Sequence, residues 1–159
     1  MANNDLTDNL VKLSDGKMFL LRQLLVLAEQ QSKNIESEEA EKLDKIIKQK
    51  QGIMTKIDVL DEEFLGKYDL LKKNVAWETL EGLPPSEKNK IKELQDKIAE
   101  IYSLTEKLQK IDRANVEKLK RNLRSVQTEI RKVKEGKRVT QGYSNKNIGE
   151  ISIFVDERK

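Results

Sequence analysis

The chain has 159 residues, of which 37% are charged and only 36% hydrophobic, and it contains neither cysteine nor histidine. This length suits one domain, and so low an apolar content excludes a thick globular core while sufficing to line the narrow seams between long helices. The missing residue types exclude disulfides, thiolate nucleophiles, imidazole bases and the usual zinc ligands, so we expect no enzyme, no metal and no cofactor.

No segment of the sequence has the pattern of a targeting or membrane-spanning element. The N-terminal residues Met1–Asp5 are polar and acidic, unlike a signal peptide. The most apolar run, Met18–Ala28, is 11 residues long and contains Arg22, which makes it too short to cross a bilayer. We therefore expect a cytoplasmic protein without a membrane span.

The first two predicted helices cover residues 5–34 and 38–75. Apolar residues recur at steps of three, four or seven in both segments, which places them on one face of each helix. Ser37 is the predicted N-cap of the second helix, and Gly16 is expected to bend or fray the first. The predicted core positions are Leu6, Leu10, Leu13, Leu20, Leu24, Leu27 and Gln31, followed by Leu43, Ile46, Ile47, Ile53, Met54, Ile57, Leu60, Phe64, Tyr68 and Leu71. Leu21, Leu25 and Ala28 widen the apolar face of the first helix, as expected for a helix with two neighbours.

The third predicted helix covers residues 87–135. The run Gly82–Pro85 cannot continue a helix, whereas Ser86 can cap the next one. After this break, apolar residues follow helical spacing from Ile91 to Val133, and the next helix breaker is Gly136. The pattern predicts an all-α fold, namely an antiparallel bundle or coiled coil of three long helices. We assign residues 1–136 to the bundle domain and 137–159 to a flexible, extended C-terminal tail.

Helix length makes the third helix the centre of interest. At 1.5 Å per residue the predicted helices span about 45, 57 and 73 Å, so about 15–30 Å of the third helix is expected to lack partners. The apolar stripe nevertheless continues through that part, and a helix with an uncovered apolar seam binds an amphipathic helix from another protein. The alternatives are that the tail folds back onto the stripe or that a second copy of the chain pairs there. The stripe consists of Leu119, Leu123, Val126, Ile130 and Val133.

Two polar residues and one aromatic complete the candidate partner-binding set. Asn115 occupies a seam position where the spacing reads four and four, which is typical of a stutter and favours a register-setting role over a ligand-binding one. Asn122 borders the stripe and is placed to bond a partner backbone. Tyr143 stands in a polar, glycine-flanked segment, so it is either a docking anchor or a clasp onto the third helix.

Charge is concentrated in residues 113–138, which carry ten basic and three acidic side chains. This basic segment favours an acidic partner. Its lysines and arginines are scattered around the helix without interleaved aromatics, so a solvated face is a better interpretation than a nucleic-acid site. Acidic clusters such as Asp61–Glu63 lack the glycine and alternating oxygen ligands of a calcium loop.

The order of these features resembles the FlgN-type flagellar export chaperones. One similar stretch is Lys48–Gln51, followed by Ile53, Met54, Ile57 and Leu60. The second runs from Ile111–Asn115 through the stripe to Gly136–Arg138 and Gly142–Tyr143. The ending Phe154–Lys159 also resembles the short terminus of Gram-positive members of this family.

The resemblance implies a cytoplasmic chaperone for flagellar hook-associated proteins of the hook–filament junction. It would hold their terminal helices and deliver them to the export apparatus. By the same resemblance, the stripe contacts the client helix and Tyr143 docks on a component of the export gate. The alternatives are a FliT-type chaperone for the filament cap, a structural coiled-coil protein that self-associates through the stripe, and, less favoured, a nucleic-acid-binding helical protein.

Overall fold

The computed structural model describes residues 3–76 and 80–140, with side chains up to residue 137. These residues form three helices: α1 (Asn3–Glu36), α2 (Ala40–Asn74) and α3 (Pro85–Thr140). They contain no strand. The helices have 34, 35 and 56 residues, which confirms an all-α architecture of three long helices with a longer third one.

The helix ends differ from the predicted ones in their capping. Ser37 does not cap α2, because its hydroxyl donates back to the carbonyls of Lys33 and Asn34 at the end of α1. Glu39 takes the N-cap position without a side-chain hydrogen bond. Ser86 also does not cap α3, which begins one residue earlier at Pro85, where a fixed φ and a missing N–H suit the first helical position.

The C-terminal end of α3 lies five residues beyond the predicted one. Gly136 does not stop the helix, which continues to Thr140. A glycine in a helix costs only about 1 kcal/mol relative to alanine. The flanking lysines and arginines have high helix propensity, so the helix continues through Gly136 despite this cost. Residues 137–140, predicted to begin the tail, are therefore helical. The rest of the predicted tail, from residue 141 onward, lies outside the described residues. Gly16 likewise leaves α1 unbroken.

The described part of the connection between α2 and α3 contributes two residues, Val75 and Leu80, to the core. Leu80 has a positive φ of 53°, which is unfavourable for a residue with a branched side chain, yet it is only 5% exposed. Its backbone N–H donates to the Ala76 carbonyl at 3.0 Å. Burial of the leucine side chain therefore offsets the backbone strain. Gly82, with φ of 76°, supplies the second left-handed position without a steric cost.

The chain divides into two compact units, residues 1–115 and 116–159. In the first unit, side-chain pairs give the helix directions. Lys17 bonds Asp61 and Lys50 bonds Gln31, so α1 and α2 are antiparallel. Lys90 bonds Asp8 and Lys97 bonds Asp15, so α1 and α3 are parallel. The first unit is thus an up-down-up three-helix bundle.

Two apolar clusters form the core of the first unit. The first holds Leu6, Leu10, Leu71, Val75, Leu80, Ile91 and Leu94. The second holds Met18, Leu21, Leu24, Ile57 and Leu104. Several predicted core leucines of α1, among them Leu13, Leu20 and Leu27, are only half-buried. The fully buried positions include the small residues Thr7, Ser14 and Ala28, which allow the helices to approach closely.

A buried amide joins α1 to α3 within this core. The Asn115 side chain is 2% exposed, and its Nδ2 donates to the backbone carbonyl of Ala28 at 3.0 Å. Its Oδ1 has no hydrogen-bond partner among the described residues. Ala28 is fully buried, and its methyl group leaves room for the amide to reach the helix backbone. Asn115 therefore acts at the α1–α3 interface.

One lysine ties all three helices of the first unit together. Lys50 of α2, whose side chain is 12% exposed, donates from Nζ to Asp112 of α3 at 2.6 Å and to Gln31 of α1 at 2.9 Å. Gln31 is itself buried. Because Gln31 accepts this bond away from water, loss of the ammonium group would leave a buried oxygen without a donor.

Along the α1–α3 seam, Lys97 is the basic residue whose titration is most affected by its neighbours. Its hydrogen bond to Asp15 raises the pKa of the ammonium above 10.5, aided by the nearby charges of Glu93 and Glu100 and opposed by partial burial. A raised pKa in the folded state means that this pair stabilises the fold fully below pH 10.5. The contribution is lost only as the pH rises through the raised value.

We expect the Asn115→Leu variant to be more stable than the natural chain and Asn115→Asp to be less stable. Leucine removes a buried amide with one unpartnered oxygen, which is neutral to stabilising by about 1 kcal/mol. Aspartate loses the donor to Ala28 and buries a carboxylate, at a cost of about 3 kcal/mol. Urea unfolding followed by far-ultraviolet circular dichroism measures both. A leucine variant clearly less stable than the natural chain contradicts this account of Asn115.

Replacing Lys50 with methionine is expected to lower the free energy of unfolding by about 1–2 kcal/mol, because it keeps the aliphatic stem but removes the donor to Gln31 and Asp112. The matched control is Lys48→Met on the same helix. Lys48 pairs with Asp44 on the surface and is 73% exposed in its side chain, so its loss should change stability by less than about 0.5 kcal/mol. Equal changes in the free energy of unfolding in the two variants would show that the bonds of Lys50 to Gln31 and Asp112 stabilise the fold no more than a surface ion pair does.

Candidate partner-binding site

The described part of the second unit is the C-terminal stretch of α3, whose apolar residues lie on one face. Leu119, Leu123, Val126, Ile130 and Val133 follow at steps of four, three, four and three, which align on a helix. We call this set the α3 stripe. Leu119, Leu123 and Ile130 are half-buried, whereas Val126 and Val133 are 46% and 48% exposed. Asn115 is the last buried residue of α3 within its described side chains.

The helix that carries the stripe is supported by local interactions along its polar faces. The Thr128 hydroxyl donates to the Arg124 carbonyl at 2.9 Å, and Lys120 lies 3.8 Å from Glu117. The segment is rich in Lys, Arg, Glu and Leu, which have high helix propensity. These interactions and propensities hold the stripe residues in helical register without using the apolar side chains themselves.

The surroundings of the stripe are strongly basic. Residues 116–137 contain eight lysines and arginines but only three glutamates. The ion pair between Lys120 and Glu117 in this stretch is exposed and therefore weak. An apolar face flanked by net positive charge suits a helix whose own apolar face is flanked by aspartate and glutamate.

The other candidate residues divide between the core and the undescribed part of the chain. Asn115 is buried against Ala28, so it is not accessible to a partner in this conformation. Asn122 is half-buried beside the stripe, as its spacing indicates. Tyr143 lies outside the described residues.

A second apolar surface, in the first unit, was not predicted from the sequence. Phe19 and Val26 of α1 are 61% and 54% exposed and border a groove between α1 and α2. The spacing of seven residues between Phe19 and Val26 indicates that they share a face of α1. The neighbouring leucines form a longer apolar pattern, so the sequence predicts the core from the leucines instead.

Within the described ranges, no group of three or more acidic side chains is placed to hold a metal ion. Nor does any helix there have the length and apolarity needed to cross a bilayer. The α3 stripe and its basic surroundings combine apolar surface with positive charge.

Comparison with known proteins places the chain in a family. The family model described as FlgN protein matches residues 1–147, which is most of the chain. No curated protein and no solved structure matches the chain significantly. The match spans all three helices, including the whole α3 stripe. The chain therefore belongs to the FlgN family of flagellar export chaperones.

Proposed function

We propose that this chaperone binds the terminal helices of flagellar hook-associated proteins in the cytoplasm and delivers them to the export apparatus. The single observation that carries the proposal is the α3 stripe, a row of five apolar side chains of which none is fully buried. Membership of the FlgN family supplies the class of client, since the family serves flagellar export. The client contacts are Leu119, Leu123, Val126, Ile130 and Val133, with Asn122 at their border.

The energetics of the stripe suit reversible binding. Complete burial of a leucine, isoleucine or valine side chain is worth about 1.5–3 kcal/mol. The stripe residues are already partly covered, so a client helix removes only a fraction of their area from water. Association also costs translational, rotational and side-chain freedom. The net affinity is therefore moderate, which permits release when the client reaches its next partner.

Charge selects among possible clients. Because the flanks of the stripe are basic, acidic residues beside the apolar face of a client helix accelerate encounter and fix its register. The same charge disfavours self-association through the stripe, because a symmetric dimer sets each basic flank near its copy. It also leaves the affinity sensitive to ionic strength.

Delivery is assigned to Tyr143, which binds a component of the export gate. The support is chemical: tyrosine combines a large apolar surface with a hydroxyl group and is common among residues that dominate protein interfaces. It follows α3 by three residues, so that one end of the chain carries both client contact and docking anchor.

The double variant Leu123→Asp/Ile130→Asp is expected to lose client binding while keeping its helix content. Two carboxylates on the stripe have to be desolvated against an apolar client face, and this should weaken binding at least about a hundredfold. Titration calorimetry with a purified hook-associated protein from the same cell measures the affinity, and circular dichroism checks the fold.

The matched control is Ser125→Asp/Thr128→Asp. It introduces the same number of carboxylates on exposed positions of the same helix, away from the stripe. Client binding should fall only by the general charge effect, within about fivefold. If both double variants bind the client as tightly as the natural chain, the stripe is not the client site.

The Tyr143→Ala variant is expected to bind its client normally but to lose docking on the export gate. The change removes an aromatic anchor without touching the stripe, so the two affinities should separate, with gate binding down at least about tenfold. Surface plasmon resonance of the chaperone–client complex over the immobilised cytoplasmic part of the gate tests this. Unchanged gate binding would assign delivery to another residue.

A further inference from the structure

The first unit carries a groove between α1 and α2 that the client-binding role of α3 does not use. Its apolar lining consists of Phe19, Val26, Leu27, Gly52 and Ile53. The wide part encloses about 630 Å³, and a narrower part of about 330 Å³ continues it beyond Gln49 towards Asn34. We call the whole the α1–α2 groove.

The groove exposes large apolar side chains to solvent, which is typical of a protein-binding surface. Phe19 is 61% exposed and Val26 54%, although both belong to the same helix as the buried core. Gly52 deepens the groove opposite them, since a Cβ built at that position meets nothing within 4 Å. From Phe19 to Asn34 the groove follows 16 residues of α1, about 24 Å, which is the length of a four-turn helix.

The charges around the groove are of one sign. Its charged lining residues are Arg22, Lys42, Lys45 and Lys56, and no aspartate or glutamate belongs to the lining. Arg22 and Lys42 already pair with Glu100 and Glu39. Lys45 and Lys56 make no ion pair within the described residues, so two ammonium groups stand available at the rim. The remaining polar lining is amide: Gln23, Gln30, Asn34 and Gln49.

We propose that the α1–α2 groove docks an acidic amphipathic helix of another protein, one with an apolar stripe flanked by aspartate and glutamate. The apolar lining takes the stripe, while Lys45 and Lys56 pair with the acidic flank. A second copy of this chain is a poor occupant, because an isologous contact sets each basic rim against itself. A bilayer is also a poor occupant, because its flat surface does not enter a concave groove. This second docking surface is independent of the proposed role of the α3 stripe.

The test uses the full chain and two synthetic helical peptides of about 16 residues, a length that matches the groove. Both carry the same leucine and isoleucine stripe, but one has glutamate flanks and the other lysine flanks. Fluorescence anisotropy measures their binding. The glutamate peptide should bind at least about tenfold more tightly, and the double variant Lys45→Glu/Lys56→Glu should reverse the preference.

Gly52→Leu tests the location of that binding. The leucine side chain fills the groove, and replacing a glycine within a helix raises thermal stability, so a folding failure is not expected. Affinity for the glutamate peptide should fall at least about tenfold. The matched control is Gly66→Leu on the same helix, where a new Cβ also meets nothing within 4 Å. That control should bind within about twofold of the natural chain.

Several outcomes overturn the proposal. Equal binding of the two peptides contradicts the preference for an acidic helix. Equal effects of Gly52→Leu and Gly66→Leu contradict the assignment of peptide binding to the groove. Dimers in sedimentation that only Gly52→Leu abolishes identify a second copy as occupant. Tighter peptide binding by an Ile153→Asp/Phe154→Asp variant identifies the chain's own C-terminal segment, and binding of anionic vesicles that Gly52→Leu abolishes identifies a membrane.

The same variants separate this proposal from the client-binding one. Leu123→Asp/Ile130→Asp should leave binding of the glutamate peptide unchanged, and Gly52→Leu should leave client binding unchanged. Loss of peptide binding in the stripe variant places the peptide on α3 and contradicts the groove assignment.

Discussion

The hydrogen bond from the Asn115 amide to the Ala28 carbonyl closes the buried seam of this protein. N-terminal to Asn115, α3 packs buried and half-buried residues against α1 and α2. C-terminal to Asn115, none of the described side chains of α3 is fully buried. After the stutter at Asn115, the apolar spacing nevertheless resumes in the α3 stripe. One helix therefore serves two purposes, as a core element up to residue 115 and as a carrier of unsatisfied apolar surface beyond it.

The fold was predictable because helix-forming residues, apolar periodicity and two prolines all favour the same three helices. The details that failed have local causes. Ser37 and Ser86 are good capping residues by type, but the Ser37 hydroxyl bonds back to α1, and α3 begins at Pro85, two residues before the predicted start. Gly136 is predicted to end the third helix, but one glycine costs too little helix stability to end a helix whose neighbouring residues have high helix propensity.

The core of α1 shows the limit of a reading based on large residues. Leu13, Leu20 and Leu27 are predicted core positions because they are large and apolar, but they are only half-buried. The buried positions include Thr7 and Ser14, which a pattern of large apolar residues does not select. In a narrow bundle, helix separation decides which residues are buried, and small residues are selected where helices come closest. The stripe was found because large apolar residues carry it. The α1–α2 groove was missed because it depends on a glycine and on tertiary placement.

The two proposed docking surfaces share one chemistry, apolar contact within positive surroundings, and neither proposal needs a reactive group. Such surfaces bind clients in proportion to area and charge, and they release them by competition. That behaviour suits a chaperone, whose client must leave intact. The lysines and arginines of the chain suit the proposed selection of acidic partners.

The salt bridges between α1 and α3 also explain why a polar residue is needed in the seam. Asp8 and Asp15 are seven residues apart, as are their partners Lys90 and Lys97, so sliding one helix by a heptad still brings an opposite pair together. Charge alone thus leaves alignment ambiguous. After such a slide Asn115 would face Leu21 or Ile35, bulky side chains that deny its amide the carbonyl that Ala28 exposes. The pairing of Ala28 with Asn115 therefore favours the aligned bundle over the bundle shifted by one heptad.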